Sequence, residues 1–131
     1  MKLLLDTHIW IWSLMAPERL TKRVVRALQS NDNELWLSAI SVWELLILIE
    51  RKRITLDEDT DDWLDHAMSV APVREAPVTF EIARVSRGIR LLHQDPADRF
   101  IAATAKVLDL TLVTGDRHLV KMKDCRILAN T

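Results

Sequence analysis

Cysteine is almost missing from this chain of 131 residues: Cys125 stands alone, so no internal disulfide can form, which fits a reducing compartment. Two glycines and four prolines leave no flexible linker, repeat or low-complexity tract. Two glycines also cannot build a phosphate-cradling loop or a dinucleotide fingerprint. Neither sign of charge dominates, since 18 Lys+Arg face 19 Asp+Glu for a formal net charge of -1. A generally basic coat for nucleic acid is thereby excluded, though a local basic patch is not. No run approaches the roughly 20 apolar residues of a membrane span. The apolar start, Met1 to Leu5, is interrupted by Asp6 and His8 before it could act as a signal peptide. What is present is a foldable mixture, 49% hydrophobic and 28% charged. A chain this long buries roughly 65–70% of its unfolded surface as one unit. The expectation is a single cytoplasmic domain over residues 1–131.

Short apolar runs alternate with longer helical patterns. Leu3-Leu4-Leu5, Leu35-Trp36-Leu37, Thr111-Leu112-Val113 and Arg126-Ile127-Leu128 read as strands buried on both faces. A weaker extended segment lies around Val73 to Val78, where Pro72 and Pro77 argue against helix. Leu20, Val24 and Leu28 make one apolar stripe, predicting a helix from about Thr21 to Ser30. Ser41 to Lys52 is apolar on most sides and predicts a well-buried helix. Asp59 to Ser69 and Thr79 to Gly88 predict two more, and Pro96 to Leu108 an alanine-rich one. Strands separated by helices imply right-handed crossovers and a parallel central sheet, hence a three-layer, Rossmann-like α/β domain.

Acidic residues fall at telling places in that pattern. Asp6 ends the first strand, and Asp116 follows the Thr111–Val113 strand after Thr114-Gly115. Glu44 is expected in the first turn of one helix and Asp98 in the first turn of the alanine-rich one. In an open parallel sheet, strand carboxyl ends and helix N-termini open onto the same edge, so all four side chains could share one crevice. Packed carboxylates repel one another and resist ionisation. A divalent cation is the usual remedy, and without a His or Cys cluster the expected ion is hard, Mg²⁺ or Mn²⁺. Such an ion suits in-line hydrolysis of a phosphodiester.

Each acid also has a plainer reading. Ser41-Val42-Trp43-Glu44 matches a capping box. Asp95-Pro96-Ala97-Asp98 is a well-formed helix start, with Asp95 as N-cap and Pro96 at the first position. Asp116 could be a turn residue beside Gly115 or cap a short helix to Val120. Asp6, ending an apolar strand, has no capping duty nearby except toward Ile9 or Trp10, and capping alone gives no reason for it to join the others.

Leu4-Leu5-Asp6-Thr7-His8, Ser38-Ala39-Ile40-Ser41-Val42-Trp43-Glu44, Asp95-Pro96-Ala97-Asp98-Arg99 with Ile101-Ala102-Ala103, and Val113-Thr114-Gly115-Asp116 together resemble the successive motifs of PIN domains. Within that superfamily the likeness is to VapC-type toxins of toxin–antitoxin pairs, and it runs from about Lys2 to Leu128. The resemblance implies a Mg²⁺- or Mn²⁺-dependent endoribonuclease that leaves a 5′-phosphate and a 3′-hydroxyl. It also implies a homodimer and an antitoxin lying across the active-site groove. By position, Asp6, Glu44, Asp98 and Asp116 match the family's metal-binding and catalytic acids. Thr7 and Thr114 match its supporting hydroxyls, and Asp95 an additional acid at the rim.

Other features are less committed. Arg99 and Arg117 are the first candidates for holding RNA phosphates, each directly after a proposed catalytic acid. Arg84, Arg87 and Arg90 form a second basic cluster, and Lys121 and Lys123 flank the last acid. His8, His93 and His118 lie near the expected crevice without metal-pair spacing. Trp10, Trp12 and Trp43 read as core or interface residues, with base stacking a lesser alternative. Two rivals stay open: a phosphatase with Asp6 as nucleophile, which would need an acid where His8 stands, and an α/β binding module that cuts nothing.

Overall fold

The structure, a computed structural model, describes residues 1–91 and 95–131. Its centre is a five-stranded sheet, all parallel: β1 (Lys2–Leu5), β2 (Glu34–Ser38), β3 (Arg74–Ala76), β4 (Thr111–Thr114) and β5 (Ile127–Ala129), in the order β3-β2-β1-β4-β5. Each expected strand is present. The weakest, around Val73 to Val78, shrinks to three residues at the sheet edge.

Because side chains alternate across a strand, the apolar run of β1 feeds two cores. Leu3 and Leu5 join Leu37, Val113 and Leu128 beneath α1 (Thr7–Met15), α2 (Lys22–Gln29), α3 (Ala39–Glu50) and α4 (Thr60–Val70). Leu4 and Leu112 point the other way, into a core built by Ile82 of α5 (Phe80–Ser86) and the alanines of α6 (Pro96–Val107). Ala102, Ala103 and Ala105 are fully buried there. Small side chains let α6 lie close against the sheet. The three-layer α/β architecture expected from the alternation of patterns is therefore present.

Capping accounts for the helix starts. Thr21, Asp59, Thr79 and Asp95 each accept a backbone N–H with a side-chain oxygen, opening α2, α4, α5 and α6. Two expectations fail at α3 (Ala39–Glu50). α3 opens three residues earlier than the capping-box reading, with Ser38 Oγ accepting from Ile40 N at 3.1 Å, so Glu44 lies in its second turn. α3 is also less covered than its composition suggests: Leu45 is buried, Val42 and Leu46 are half-buried, and Trp43 is 53% exposed. Helix α1 has no sequence signature, because Ile9, Trp10, Ile11 and Trp12 run consecutively and leave no helical stripe.

Strand register sets the level of the functional edge. Leu5 pairs with both Leu37 and Val113, so Asp6, Ser38 and Thr114, each one residue further on, sit side by side. The chain leaves β1 toward β2 and returns later through β4 on the other flank. The carboxyl end of β1 is thus the topological switch point where parallel sheets bind ligands.

Candidate active site

A cavity of about 350 Å³ opens at this switch point, lined by Asp6, His8, Trp12, Glu44, Asp95, Asp98, Gly115 and Asp116. All four expected acids, and Asp95, meet in it. β1 delivers Asp6, the second turn of α3 delivers Glu44, the first turn of α6 delivers Asp98, and the segment after β4 delivers Asp116.

Asp6 is the most enclosed, at 6% exposure. Its Oδ1 accepts from Thr7 N at 2.8 Å, capping α1, and its Oδ2 accepts from the Thr114 hydroxyl at 2.7 Å. Asp6 therefore does cap a helix, α1, through Thr7 N rather than through Ile9 or Trp10. Thr114 ties two acids together, since its Oγ1 also accepts from Asp116 N at 3.1 Å. Asp116 Oδ1 in turn accepts from His118 N at 2.8 Å and Leu119 N at 3.1 Å, which fixes the short helical turn after it. Both duties of Asp116, turn cap and cavity wall, are satisfied at once.

Thr7 does for Glu44 what Thr114 does for Asp6. Its hydroxyl donates to Glu44 Oε1 in a short contact, and Ser41 Oγ lies 2.8 Å from the Thr7 hydroxyl oxygen. Ser41 is fully buried and is no helix cap. Three residues before Glu44 on α3, it shares that residue's face and buttresses Thr7. Sequence reasoning missed this role, and the i, i+3 spacing was the available signal. Asp95 caps α6 as expected, accepting from Asp98 N at 3.2 Å.

The cluster is electrostatically expensive. Burial raises the Asp6 carboxyl above its usual range, opposed by the hydrogen bonds from Thr114 and Thr7. Burial also raises Glu44, helped by repulsion from Asp6 and Asp95. Asp98 is pushed up to about 8, by burial first and then by Asp6, Asp95, Asp116 and Glu44 in that order. Among the described residues, no three Asp, Glu, His or Cys groups are gathered closely enough to ligate one ion as they stand. The donor set still fits a hard cation. Mg²⁺ needs only one or two carboxylates and keeps several waters, so the remaining acids can act through water. Every candidate ligand is an oxygen, and a cation would offset both the burial and the repulsion that raise Asp98.

Other candidates divide. Arg99 is corrected: it is only 7% exposed, and its Nη1 donates to the carbonyls of Ser86 at 3.2 Å and Ile89 at 2.8 Å. It ties the end of α5 to α6 and cannot reach a substrate phosphate. Successive helical residues point about 100° apart, so following Asp98 in sequence means leaving the cavity in space. Arg117 is exposed and follows Asp116, a residue of the cavity wall. His8 and Trp12 contribute to the wall, ring centroids 5.7 Å apart, with the Arg19 guanidinium 5.3 Å from the Trp12 ring. Trp10 is core, at 2% exposure. The candidate His93 lies outside the described residues.

Comparison with known proteins follows this geometry closely. The sequence pattern of the PIN domain matches residues 3–124. Ribonuclease VapC22 of Mycobacterium tuberculosis is 37% identical over 117 residues, covering 88% of each chain. Among solved structures, VapBC2 from Rickettsia felis, bound to a DNA fragment from its promoter, superposes with a TM-score of 0.73 at 14% identity, covering 98% of each chain. A toxin–antitoxin complex from Klebsiella pneumoniae gives 0.67 at 18% identity, covering 98% of this chain and 97% of that one. At such identities these two likenesses speak to the fold alone.

Proposed function

The chain belongs to the PIN domain family, and on that premise we propose that it is an endoribonuclease, the toxin of a VapBC-like pair. Ribonucleases of this family are generally dependent on a divalent metal. The observation that carries the reading is the convergence of Asp6, Glu44, Asp98 and Asp116 on one cavity at the switch point of the sheet. An aspartate-nucleophile phosphatase fits poorly, because it would need a second acid two residues after Asp6, and His8 stands there.

Asp6 and Asp98, supported by Asp116 and Glu44, would hold Mg²⁺ or Mn²⁺, in part through water. When bound, that ion supplies an acidified water and neutralises charge building on the phosphodiester. The protein's own part is positional. Thr114 orients Asp6 and anchors the backbone of Asp116. Thr7 occupies Glu44 Oε1, which leaves Oε2 for the proton of the attacking water. Attack in line forms the new P–O bond and breaks the bond to the 3′ oxygen, which takes a proton from solvent, leaving a 5′-phosphate and a 3′-hydroxyl.

For partners, we assign RNA as substrate, a VapB-like antitoxin and a second copy of this chain. Exposed Trp43 with half-buried Leu46 and Ile47, at helical spacing on α3, supports an interface between chains. No helix among the described residues is long and apolar enough to cross a membrane, and we place the protein in the cytoplasm as one domain. The deciding experiment is incubation of purified protein with RNA, with and without Mg²⁺ or Mn²⁺, beside Asp6→Asn. Asparagine can keep the cap to Thr7, so the variant should fold yet fail to cut. Full cleavage by Asp6→Asn would remove Asp6 from the machinery.

A further inference from the structure

A site built from carboxylates has a difficulty with its own substrate. Asp6, Glu44, Asp95, Asp98 and Asp116 crowd one cavity, and a phosphodiester strand brings more negative charge to it. A metal ion can balance the phosphate being cut, but the flanking phosphates need cations elsewhere.

A second cavity, of about 330 Å³, borders the residues that directly follow Asp116. Its lining is Arg90, Leu91, Arg117, His118, Lys121 and Met122, with no acidic residue. The two cavities share one stretch of chain: Gly115 and Asp116 face the acidic one, Arg117 and His118 the basic one. Asp116 Oδ1 accepts from the His118 and Leu119 backbone N–H groups, and Val120 N donates back to Asp116 O at 3.0 Å. The turn carrying Arg117 and Lys121 is thereby held at a fixed place relative to the acids.

Those cations are not spoken for. The side chains of Arg90, Arg117 and Lys121 form no ion pair among the described residues, and all three residues are exposed. Asp124, the acid closest in sequence to Lys121, is engaged with Lys106 at 3.7 Å and accepts from Arg90 N at 3.4 Å. Leu91 and Met122 give the cavity an apolar floor, with Met122 7% exposed. Three unpaired cations over an apolar floor suit a sugar–phosphate backbone, whose phosphates want charge and whose ribose and base present apolar faces.

We propose that this second cavity is the strand-binding subsite of the protein, in which Arg90, Arg117 and Lys121 hold backbone phosphates of single-stranded RNA beside the scissile bond. The proposal rests on the nuclease reading for its scissile bond, but its test reads binding alone. In an Asp98→Asn background, which should not cut, the affinity for a fluorescein-labelled single-stranded RNA oligonucleotide is followed by anisotropy over a range of salt. Adding Arg90→Gln, Arg117→Gln and Lys121→Gln together should weaken binding at least tenfold. It should also flatten the dependence of log K on log salt by about 2, since each single-strand phosphate contact contributes roughly 0.7.

A control triple, Arg51→Gln, Lys52→Gln and Arg53→Gln, exposed beyond the far end of α3 and about 18 Å along that helix from the switch-point edge, removes equal charge and should change binding less than threefold. Equal losses from both triples would reduce the effect to net charge and overturn the proposal, as would no loss from either. Metal-dependent cleavage by the wild-type protein is scored separately. RNA held through the three cations but never cut would sink the nuclease reading and leave the subsite standing; RNA cut equally well by wild type and the subsite triple would do the reverse.

Discussion

Two cavities flank α3, and they could hardly differ more. One, of about 450 Å³, is lined by Leu37, Ser38, Ala39, Val42, Met68, Val73 and Glu75. The other, of about 350 Å³, holds the acids. The larger one is mostly apolar, and its walls are the ordinary margin of a core where α4 does not fully cover β2. The smaller one works against folding: it buries Asp6, crowds four other carboxylates around it and spends two threonine hydroxyls on holding them. A folding chain has no reason to accept such repulsion, so its persistence marks the smaller cavity as the chemical one. Volume alone would have chosen the other.

The strongest way to break this contrast is one truncation in each cavity. Asp98→Ala should lower RNA cleavage by more than about 100-fold, since even residues acting behind metal ligands are worth about 10–100-fold. It should not lower the melting temperature, because it removes a repelled carboxylate. Met68→Ala should do the opposite, leaving cleavage within about twofold and costing about 1–2 kcal/mol, below the 2–5 kcal/mol of a fully buried methionine. Cleavage rates and denaturant midpoints on the two variants read both halves. If Met68→Ala impaired cutting as Asp98→Ala does, the two cavities could not be separated in function.

A finer cut lies within the acidic cavity. Thr114→Val keeps the shape but deprives Asp6 Oδ2 of its donor and Asp116 N of its acceptor. Cleavage should fall about 10–100-fold. Stability should fall by about 1–3 kcal/mol, because Thr114 is fully buried and its partners lose hydrogen bonds in a dry place. Thermal melts beside initial rates separate the two effects, and an undiminished rate would leave Thr114 with no part in positioning.

The sequence revealed most of this contrast but not all. Strands were legible because a parallel strand buried on both faces must be an unbroken apolar run, as in Leu3-Leu4-Leu5. The acids were legible because strand ends and helix starts have sequence signatures, and α6 announces itself with Asp95-Pro96. Tertiary facts were not. Helix α1 lacks a stripe because Trp10 and its neighbours are covered from several sides. Ser38 rather than Ser41 caps α3, since Ser41 is needed against Thr7. Arg99 and Arg117 look alike as residues following acids, but one sits on a helix that turns it inward and the other on an open turn. Strand order, which makes the end of β1 the switch point, has no local sequence signal.

Acidity gives a third comparison. Asp98 titrates near 3.8 when unfolded and is pushed up to about 8 in the folded protein. Between those values the folded state binds more protons than the unfolded one, so this group makes stability fall as pH rises from about 4 to about 8. Raised carboxyls on Asp6 and Glu44 act in the same direction. Metal-free protein should therefore melt several degrees lower at pH 8 than at pH 5.5. Mg²⁺ should raise the melting temperature more at pH 8, where the ligands are ionised. In Asp98→Ala the pH trend should shrink; an unchanged trend would place its origin outside the cluster.

The smallest effect tests the boundary between the cavities at one step of the chain. Ser41 and Val42 are adjacent on α3, yet the first touches Thr7 behind Glu44 and the second lines the apolar cavity. Ser41→Ala removes one neutral hydrogen bond in a buried place, which costs about 1 kcal/mol. Thr7 keeps its bond to Glu44, so cleavage should drop only a few-fold, less than the roughly tenfold expected for a residue directly behind a ligand. Val42→Ala should cost about 1 kcal/mol as well, through lost apolar burial, and leave cleavage unchanged. Equal losses of stability with unequal losses of rate are the expected outcome, read from denaturant melts and initial rates on the same preparations. Ser41 would then be a positioning residue, acting through Thr7 on a carboxylate it does not touch, and equal rates for the two variants would confine Ser41 to packing.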